Sequence, residues 1–176
     1  KLASDKLFIA SNSTYAENRK TIFSVVRYGN VMGSRGSIIP LFVSLKNNRE
    51  LPITDERMTR FMISLEEGVE LVWKAFHDML GGEIYVKKIP SMKITEIAKI
   101  IAPKAKLKII GIRPGEKLHE QMIGLEDTNY TYEYKKYFKI LSQINDQNKD
   151  IDYIKTGNKV SKNFIYSSDN NRTLEL

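Results

Sequence analysis

One stretch, IFSVVRYGNVMGSRGSIIP at residues 22–40, constrains what this chain can fold into more than any other. Ile22 to Arg27 reads as a buried strand. Its Ile22, Phe23, Val25 and Val26 form the near-continuous apolar run found where a parallel sheet is covered on both faces. The run feeds straight into a glycine-rich polar loop, Gly29 to Ser37. A helix then starts near Ile38, with Pro40 in its first turn, where a missing N–H is harmless. Strand, loop and helix in that order suit an open α/β sheet, in which ligands sit beyond the carboxyl ends of the strands. Asn30 offers a forked amide and Arg35 a fixed cation, while Gly29, Gly33 and Gly36 let backbone approach a ligand closely. Such a loop fits an anionic, hydroxyl-rich small molecule.

The other segments continue the α/β pattern. Leu2 to Ala10 is a strongly apolar helical pattern with no N-cap residue before it, so the chain is expected to begin inside an element. Residues 12–21 read as a polar loop, LPIT (51–54) as a short strand, and 55–60 as a charged turn. Ser64 with Glu67 is a capping-box signature, opening a helix whose apolar stripe is Leu65, Val69, Val72, Phe76 and Met79. Trp73 beside that stripe is assigned to packing, and Gly81 and Gly82 end the helix. A strand at 83–86, a helix at 92–102 closed by Pro103, and a strand at 107–112 follow. Farther on, alternate tyrosines in YTYEYKKYFKIL suggest a hairpin piece, and 142–163 reads as polar surface loop. FIYSSDNN (164–171) is a short strand running into hydroxyls and amides, and truncation is expected at this end too.

Composition narrows the function classes. No apolar run approaches the roughly 20 residues of a membrane span. The absence of cysteine removes disulfides and thiolate metal sites, which suits a cytoplasmic protein. His77 and His119 are too far apart in sequence to suggest a local metal pair, so no metal is expected. The net charge of +7 raises the question of nucleic acid. The lysines are scattered, however, and no basic stripe alternates with stacking aromatics, so no nucleic-acid partner is expected.

The chain has no dinucleotide glycine fingerprint, no Walker loop and no Ser-His-Asp or Cys-His pairing readable from spacing. What it has is polar segments at strand ends: Asn30 and Arg35, Thr54 to Arg60, Arg113 and Glu116, and Ser167 to Asn171. If the strands are parallel neighbours, these share one rim. RPGEKLHEQM (113–122) reads as a charged junction with Pro114 at a helix start and Glu116 in its first turn. Arg113 and Glu116 there are either a local ion pair worth under about 1 kcal/mol or a phosphate-facing cation beside a carboxylate.

Taken together, the strings LASDKLF, RYGNV-x-GSRGS, ITD-x-RMTRF, GGEIYVKKIPSMKI and IRPGEKLHE resemble the C-terminal half of the inverting UDP-N-acetylglucosamine 4,6-dehydratases. These are extended short-chain dehydrogenase/reductases that begin bacterial routes to pseudaminic acid and related surface sugars, including those used in flagellin glycosylation. The resemblance runs from Lys1 to about Met122 and resumes weakly at FIYSSDNN. It implies the C-terminal part of a Rossmann-like domain, residues 1–50, and a smaller α/β substrate-binding domain over 51–176, interleaved with the last Rossmann elements.

The resemblance also implies roles. Lys1 matches the lysine of a Y-x-x-x-K motif, holding the cofactor ribose and lowering the pKa of a tyrosine base. Val31 would lie on the nicotinamide side of NADP, and Asn30 on the substrate. Arg35, Arg60, Arg113 and Glu116 would surround UDP-N-acetylglucosamine: cations on the diphosphate through forked hydrogen bonds, the glutamate on ribose hydroxyls. Thr54 would frame the uracil. The implied reaction takes hydride from sugar C4 to NADP⁺, eliminates water across C5–C6, and returns hydride to C6 with inversion at C5. The family's glycine loop, catalytic Asp-Lys pair and tyrosine precede Lys1, so about 140 further upstream residues are expected and this chain by itself is expected to be inactive. A homo-oligomer is expected, with the helix at 2–11 in the interface. The alternatives are a non-catalytic UDP-sugar-binding module and a related nucleotide-sugar epimerase.

Overall fold

A computed structural model describes residues 2–15, 21–142 and 154–171. In chain order its elements begin α1 (Leu2–Tyr15), β1 (Val25–Arg27), β2 (Asn30–Val31), α2 (Ile38–Leu45), β3 (Glu50–Ile53) and β4 (Thr59–Ile63). Then come α3 (Leu65–Asp78), β5 (Ile84–Lys87), β6 (Ser91–Lys93), α4 (Ile94–Ile101), β7 (Lys106–Ile109) and β8 (Gln121–Ile123). The last are α5 (Leu125–Thr128), β9 (Thr131–Glu133), β10 (Tyr137–Ile140), β11 (Asn158–Lys159) and β12 (Tyr166–Ser167). This is the α/β fold expected, with parallel and antiparallel pairings. The chain forms two compact units and passes repeatedly between them: residues 1–28, 66–88 and 122–165 make the first, and 29–65, 89–121 and 166–176 the second. Residues on both sides of position 50 therefore lie in the second unit.

The first unit is built on a sheet in the order β1-β5-β10-β9-β11. β1 runs parallel to β5, with Val25 opposite Ile84 and Arg27 opposite Val86. β10 lies antiparallel to both β5 and β9, so the tyrosine-rich hairpin forms. All four residues of β5 are buried, as its two sheet neighbours and the packed Leu71 and Ala75 of α3 require. β1 corrects one expectation. Only Val25–Arg27 is strand, it is half-buried, and Ile22 is exposed, because this outer strand has a partner on one side only among the described residues. α1 continues to Tyr15, past the loop expected from residue 12; the Asn12 side chain accepts a hydrogen bond from the Phe23 amide at 3.1 Å.

Helix α3 carries the larger correction. Its inward residues are Gly68, Leu71, Ala75 and Asp78, whereas Leu65 and Phe76 of the expected stripe are 62% and 60% exposed. Val69, Val72 and Trp73 are exposed as well; the Trp73 ring meets Phe76 edge-on and stacks on His77, both on its own helix. Leu71 and Ala75 pack against Tyr85, whereas a Cβ at Gly68 would meet nothing within 4 Å. Gly81 and Gly82 then stop the chain with φ of +123° and +84°, values that exclude ordinary side chains.

Beneath α3 lies a buried polar cluster. The Lys139 ammonium, 1% exposed, donates to Asp78 Oδ2 at 2.5 Å, the Tyr85 hydroxyl donates to the same oxygen at 3.1 Å, and Lys155 donates to Oδ1 at 3.0 Å. Lys139 also lies over the rings of Tyr85 and Tyr134. Burial alone would raise the Asp78 carboxyl; the hydrogen bonds from Lys139 and Lys155 outweigh it and hold the group down at about 2.

In the second unit β2 pairs parallel with β4, β4 antiparallel with β6, and β3 parallel with β7. Phe42 of α2, Leu51 and Ile53 of β3, Met62 of β4 and Ile94, Ile97 and Ala98 of α4 close one apolar core. β4 falls partly within the expected charged turn 55–60: Thr59, Phe61, Met62 and Ile63 are buried, so burial and pairing overrode the charge around them. The expected helix at 92–102 begins at Ile94, because Met92 and Lys93 pair with β4. The strand expected to reach 112 ends at Ile109, and Ile110 and Ile112 are exposed. Gly29 opens this unit at a point of close approach, where a Cβ would lie 2.5 Å from the Cβ of Phe61. Tyr166 closes it: its hydroxyl both donates to the carbonyl and accepts from the amide of Ile89, each at 2.9 Å, and its ring packs on Phe61.

Candidate functional site

Seven of the residues singled out from sequence lie in the second unit; the eighth, Lys1, lies outside the described residues. Asn30 and Val31 form β2 and are half-buried, paired with Met62 and Ile63. The loop beyond turns at Gly33 and Gly36, with φ of +74° and +75°, and projects Arg35 as an exposed cation. It ends at Ser37, the N-cap of α2, whose hydroxyl oxygen is buried and has no hydrogen-bond partner among the described residues. Thr54 follows β3 and is half-buried. Next to it Asp55 grips Arg57, and the side-chain hydrogen bonds from that guanidinium hold the Asp55 carboxyl at about 2.

The segment from Arg113 to Glu120 is not the helix expected from Pro114. It is an irregular loop that turns at Pro114 and Gly115, where Gly115 has a φ of +80°. Glu116 bears on the first of the two readings given above, the local ion pair. Its Oε2 accepts from the backbone N–H of Arg113 at 3.3 Å, and its Oε1 faces Arg60 at 3.9 Å. The Arg113 guanidinium is exposed and makes no ion pair among the described residues. The local Arg113–Glu116 ion pair is therefore not formed, and this cation remains available to a ligand.

Arg60 is different. It is turned inward onto the same loop, donating to the carbonyls of Thr59 at 2.7 Å, Leu118 at 3.0 Å and Lys117 at 2.8 Å. The structure thus joins Arg60, Arg113 and Glu116. No hydrogen bond or ion pair among the described residues links Asn30, Arg35 or Thr54 to them.

Thr59 and Ser168, from two of the polar strand-end segments, also meet at this locus, together with His119, which was not singled out from sequence. The Thr59 hydroxyl lies 2.7 Å from both His119 Nδ1 and the Ser168 hydroxyl, and Ser168 Oγ accepts from the Glu120 amide at 2.9 Å. Ser167 and Asp169 are also hydrogen-bonded. The signal available was the hydroxyl cluster SSD at 167–169, but nothing in its spacing pointed at His119, 48 or more residues away in sequence. A concavity in the first unit, lined by Lys88, Glu133, Tyr134, Lys135, Thr156 and Asn158, contains none of the singled-out residues.

With this geometry in hand, comparison with known proteins is decisive. Residues 1–142 match the family described as polysaccharide biosynthesis protein. The chain belongs to that family. It is 54% identical, over 97% of its length, to a Campylobacter jejuni protein named UDP-N-acetylglucosamine 4,6-dehydratase (inverting), and covers 53% of that protein. It is 39% identical, over 98% of its length, to a Rickettsia canadensis protein named UDP-glucose 4-epimerase, covering 52% of it. Among solved structures, the X-ray structure of Pen from Bacillus thuringiensis superposes with a TM-score of 0.85 at 29% identity, over 99% of this chain and 52% of that one. The chain spans about half the length of the relatives it matches. The resemblance read from its motifs to the C-terminal half of the dehydratases is thus upheld, and the dehydratase match is the stronger of the two.

Toward a nicotinamide cofactor the described residues offer little. Of the two assigned to it, Lys1 lies outside the described set and Val31 presents an apolar side chain. Val31 suits one wall of a ring pocket, and no polar donor set for a dinucleotide accompanies it, so no chemical step is derived through the cofactor. No group of His, Asp and Glu capable of holding a metal ion occurs among the described residues, and no described helix is long and apolar enough to cross a membrane.

Proposed function

We propose that this chain supplies the nucleotide-sugar side of a C5-inverting UDP-N-acetylglucosamine 4,6-dehydratase, a lyase that makes a UDP-4-keto-6-deoxy sugar for bacterial surface-sugar synthesis. The observation that carries the reading is Arg113: an exposed, unpaired guanidinium set beside a carboxylate whose position is fixed by hydrogen bonding. A guanidinium forks onto a diphosphate with charge-assisted hydrogen bonds, and Glu116 accepts from sugar hydroxyls. Arg35 adds a second exposed cation, Asn30 and Thr54 contact the sugar and uracil, and Val31 lines the nicotinamide of NADP. The named relative supports the substrate, and the loop chemistry agrees with it. Residues 1–28, 66–88 and 122–165 are the dinucleotide-side unit in this reading, and the second unit is the substrate side.

The tyrosine base of the Y-x-x-x-K motif is not among these 176 residues. The chain alone is read as inactive, and the complete polypeptide as the cytoplasmic, homo-oligomeric enzyme, with exposed Leu7 and Phe8 of α1 contributing to the subunit contact. The test is to supply the complete polypeptide with NADP⁺ and UDP-N-acetylglucosamine and follow the sugar by NMR. A 4-keto-6-deoxy product with inverted C5 supports the reading. The second reading, an epimerase, is favoured by the Rickettsia relatives, and predicts C4 epimers with C6 still hydroxylated. That outcome, or no turnover, overturns the dehydratase.

A further inference from the structure

We infer that Arg60 is a positioning residue, a clamp that presets the loop carrying Arg113 and Glu116 rather than a ligand for the nucleotide sugar. The inference rests on the dehydratase reading for its substrate, but its structural content stands apart from it. Resemblance groups Arg60 with the cations around the diphosphate. The geometry gives it another task.

A guanidinium has five N–H donors in a rigid fork. In Arg60, Nη1 is taken by the Thr59 and Leu118 carbonyls and Nη2 by the Lys117 carbonyl. The remaining face meets carboxylates, with Nη2 3.9 Å from Glu116 and Nε 3.8 Å from Glu120. The side chain is 12% exposed, so few donors remain for a ligand.

The loop needs such a clamp. Between β7 and β8 it has no helix or strand, and its own backbone contributes few restraints. Glu116 N–H bonds to the Arg113 carbonyl, and Leu118 accepts from the Thr59 amide at 3.2 Å. The Leu118 carbonyl thus accepts from both the Thr59 amide and Arg60, and the Lys117 carbonyl, on an exposed residue, accepts from Arg60, so the guanidinium adds two side-chain restraints to a loop that has no ladder of its own. Arg60 is well placed to supply them, because it alternates with the buried Thr59 and Phe61 on the rigid strand β4. One planar cation thus ties a strand to consecutive loop carbonyls and aligns Glu116 through charge. A lysine at this position has a compact ammonium on a flexible stem and cannot span the same acceptors.

The test uses the complete polypeptide and two independent readouts. In Arg60→Lys, the KM for UDP-N-acetylglucosamine rises roughly tenfold while kcat stays within about threefold, because the loop must be ordered on binding and the chemistry is untouched. Amide exchange at Glu116 accelerates in the same variant without ligand. Combining Arg60→Lys with Glu116→Gln gives a KM increase no larger than the greater single effect, since both act on one contact. Multiplicative effects in that cycle mean that Arg60 binds substrate directly, which overturns the proposal. Unchanged KM and unchanged exchange in folded Arg60→Lys overturn it equally. Should that variant fail to fold, Arg60→Gln takes its place: its shorter amide cannot span the same three carbonyls, and unchanged KM with unchanged exchange at Glu116 there overturns the clamp. If the unmodified enzyme neither binds UDP nor turns over the sugar, the functional reading fails while amide exchange still decides the clamp.

Discussion

Two cation-centred networks, one in each unit, show how the same interactions serve different ends. In the first unit Lys139 is sealed beneath α3, and Asp78 receives hydrogen bonds from Lys139, Lys155 and Tyr85. In the second unit Arg60 ties down an irregular loop, and the neighbouring Arg113 is left exposed and unpaired. The first network is closed: its members satisfy one another, and its loss falls on stability. The second is open, ending in a charge without a partner among the described residues, and in the function proposed above its loss is expected to fall on binding. The contrast teaches where to look for function, which is at the cation that the fold has oriented around but not neutralised.

That contrast can be broken in order of expected effect. Lys139→Met removes one partner of a buried pair and leaves Asp78 under-compensated; urea unfolding should show a loss of about 3 kcal/mol or more. A loss below about 1 kcal/mol would mean that Lys155 and Lys74, whose ammonium lies 3.8 Å from the Asp78 carboxylate, suffice. Arg113→Ala in the complete polypeptide should raise the KM for UDP-N-acetylglucosamine roughly tenfold to a hundredfold, with the unfolding midpoint unchanged. A shifted midpoint with unchanged KM would reverse the assignment of the two networks.

Acid comes next. The Asp78 carboxyl is depressed from an ordinary 3.8 to about 2 in the folded chain. Its contribution is therefore fully present above about pH 4 and is lost as pH falls toward 2, by on the order of 1–2 kcal/mol. Asp78→Asn should flatten that part of the pH–stability curve, and an unaltered slope would remove Asp78 from the account. The smallest effect belongs to Arg57→Ala. Its ion pair with Asp55 is exposed on the arginine side, and no measurable change in thermal midpoint is expected.

How much was legible in the sequence depended on whether local pattern and burial agreed. In α4 the apolar residues Ile94, Ile97 and Ala98 are also the buried ones, so the helix expected at 92–102 forms, from Ile94 onward. In α3 the more conspicuous stripe of Leu65, Val69, Val72 and Phe76 is exposed, and Leu71 and Ala75 pack on Tyr85 instead. Two apolar faces lie on this helix, and periodicity alone does not say which one meets the sheet. β4 was hidden by the charges of its flanks. The site was legible in its residue types, because Arg113 and Glu116 stand together in one string. What sequence does not carry is direction: that Arg60 points at carbonyls, that Arg113 points at none, and that Ser168 reaches Thr59 across 109 positions.

That last separation has a consequence for how the protein comes into being. The second unit is assembled from three stretches of chain, and its final pieces are Tyr166, hooked to Ile89, and Ser168, hooked to Thr59. As the polypeptide emerges from a ribosome at ~5–20 residues per second, the strand bearing Arg60 is complete about 100 residues before its last partners exist. For several seconds Phe61 lacks the ring that packs on it and Thr59 lacks a hydroxyl partner. The candidate binding loop is thus among the last parts of the unit to gain its full set of contacts. Tyr166 and Ser168 decide when the strand that carries Arg60 gains its full set of contacts.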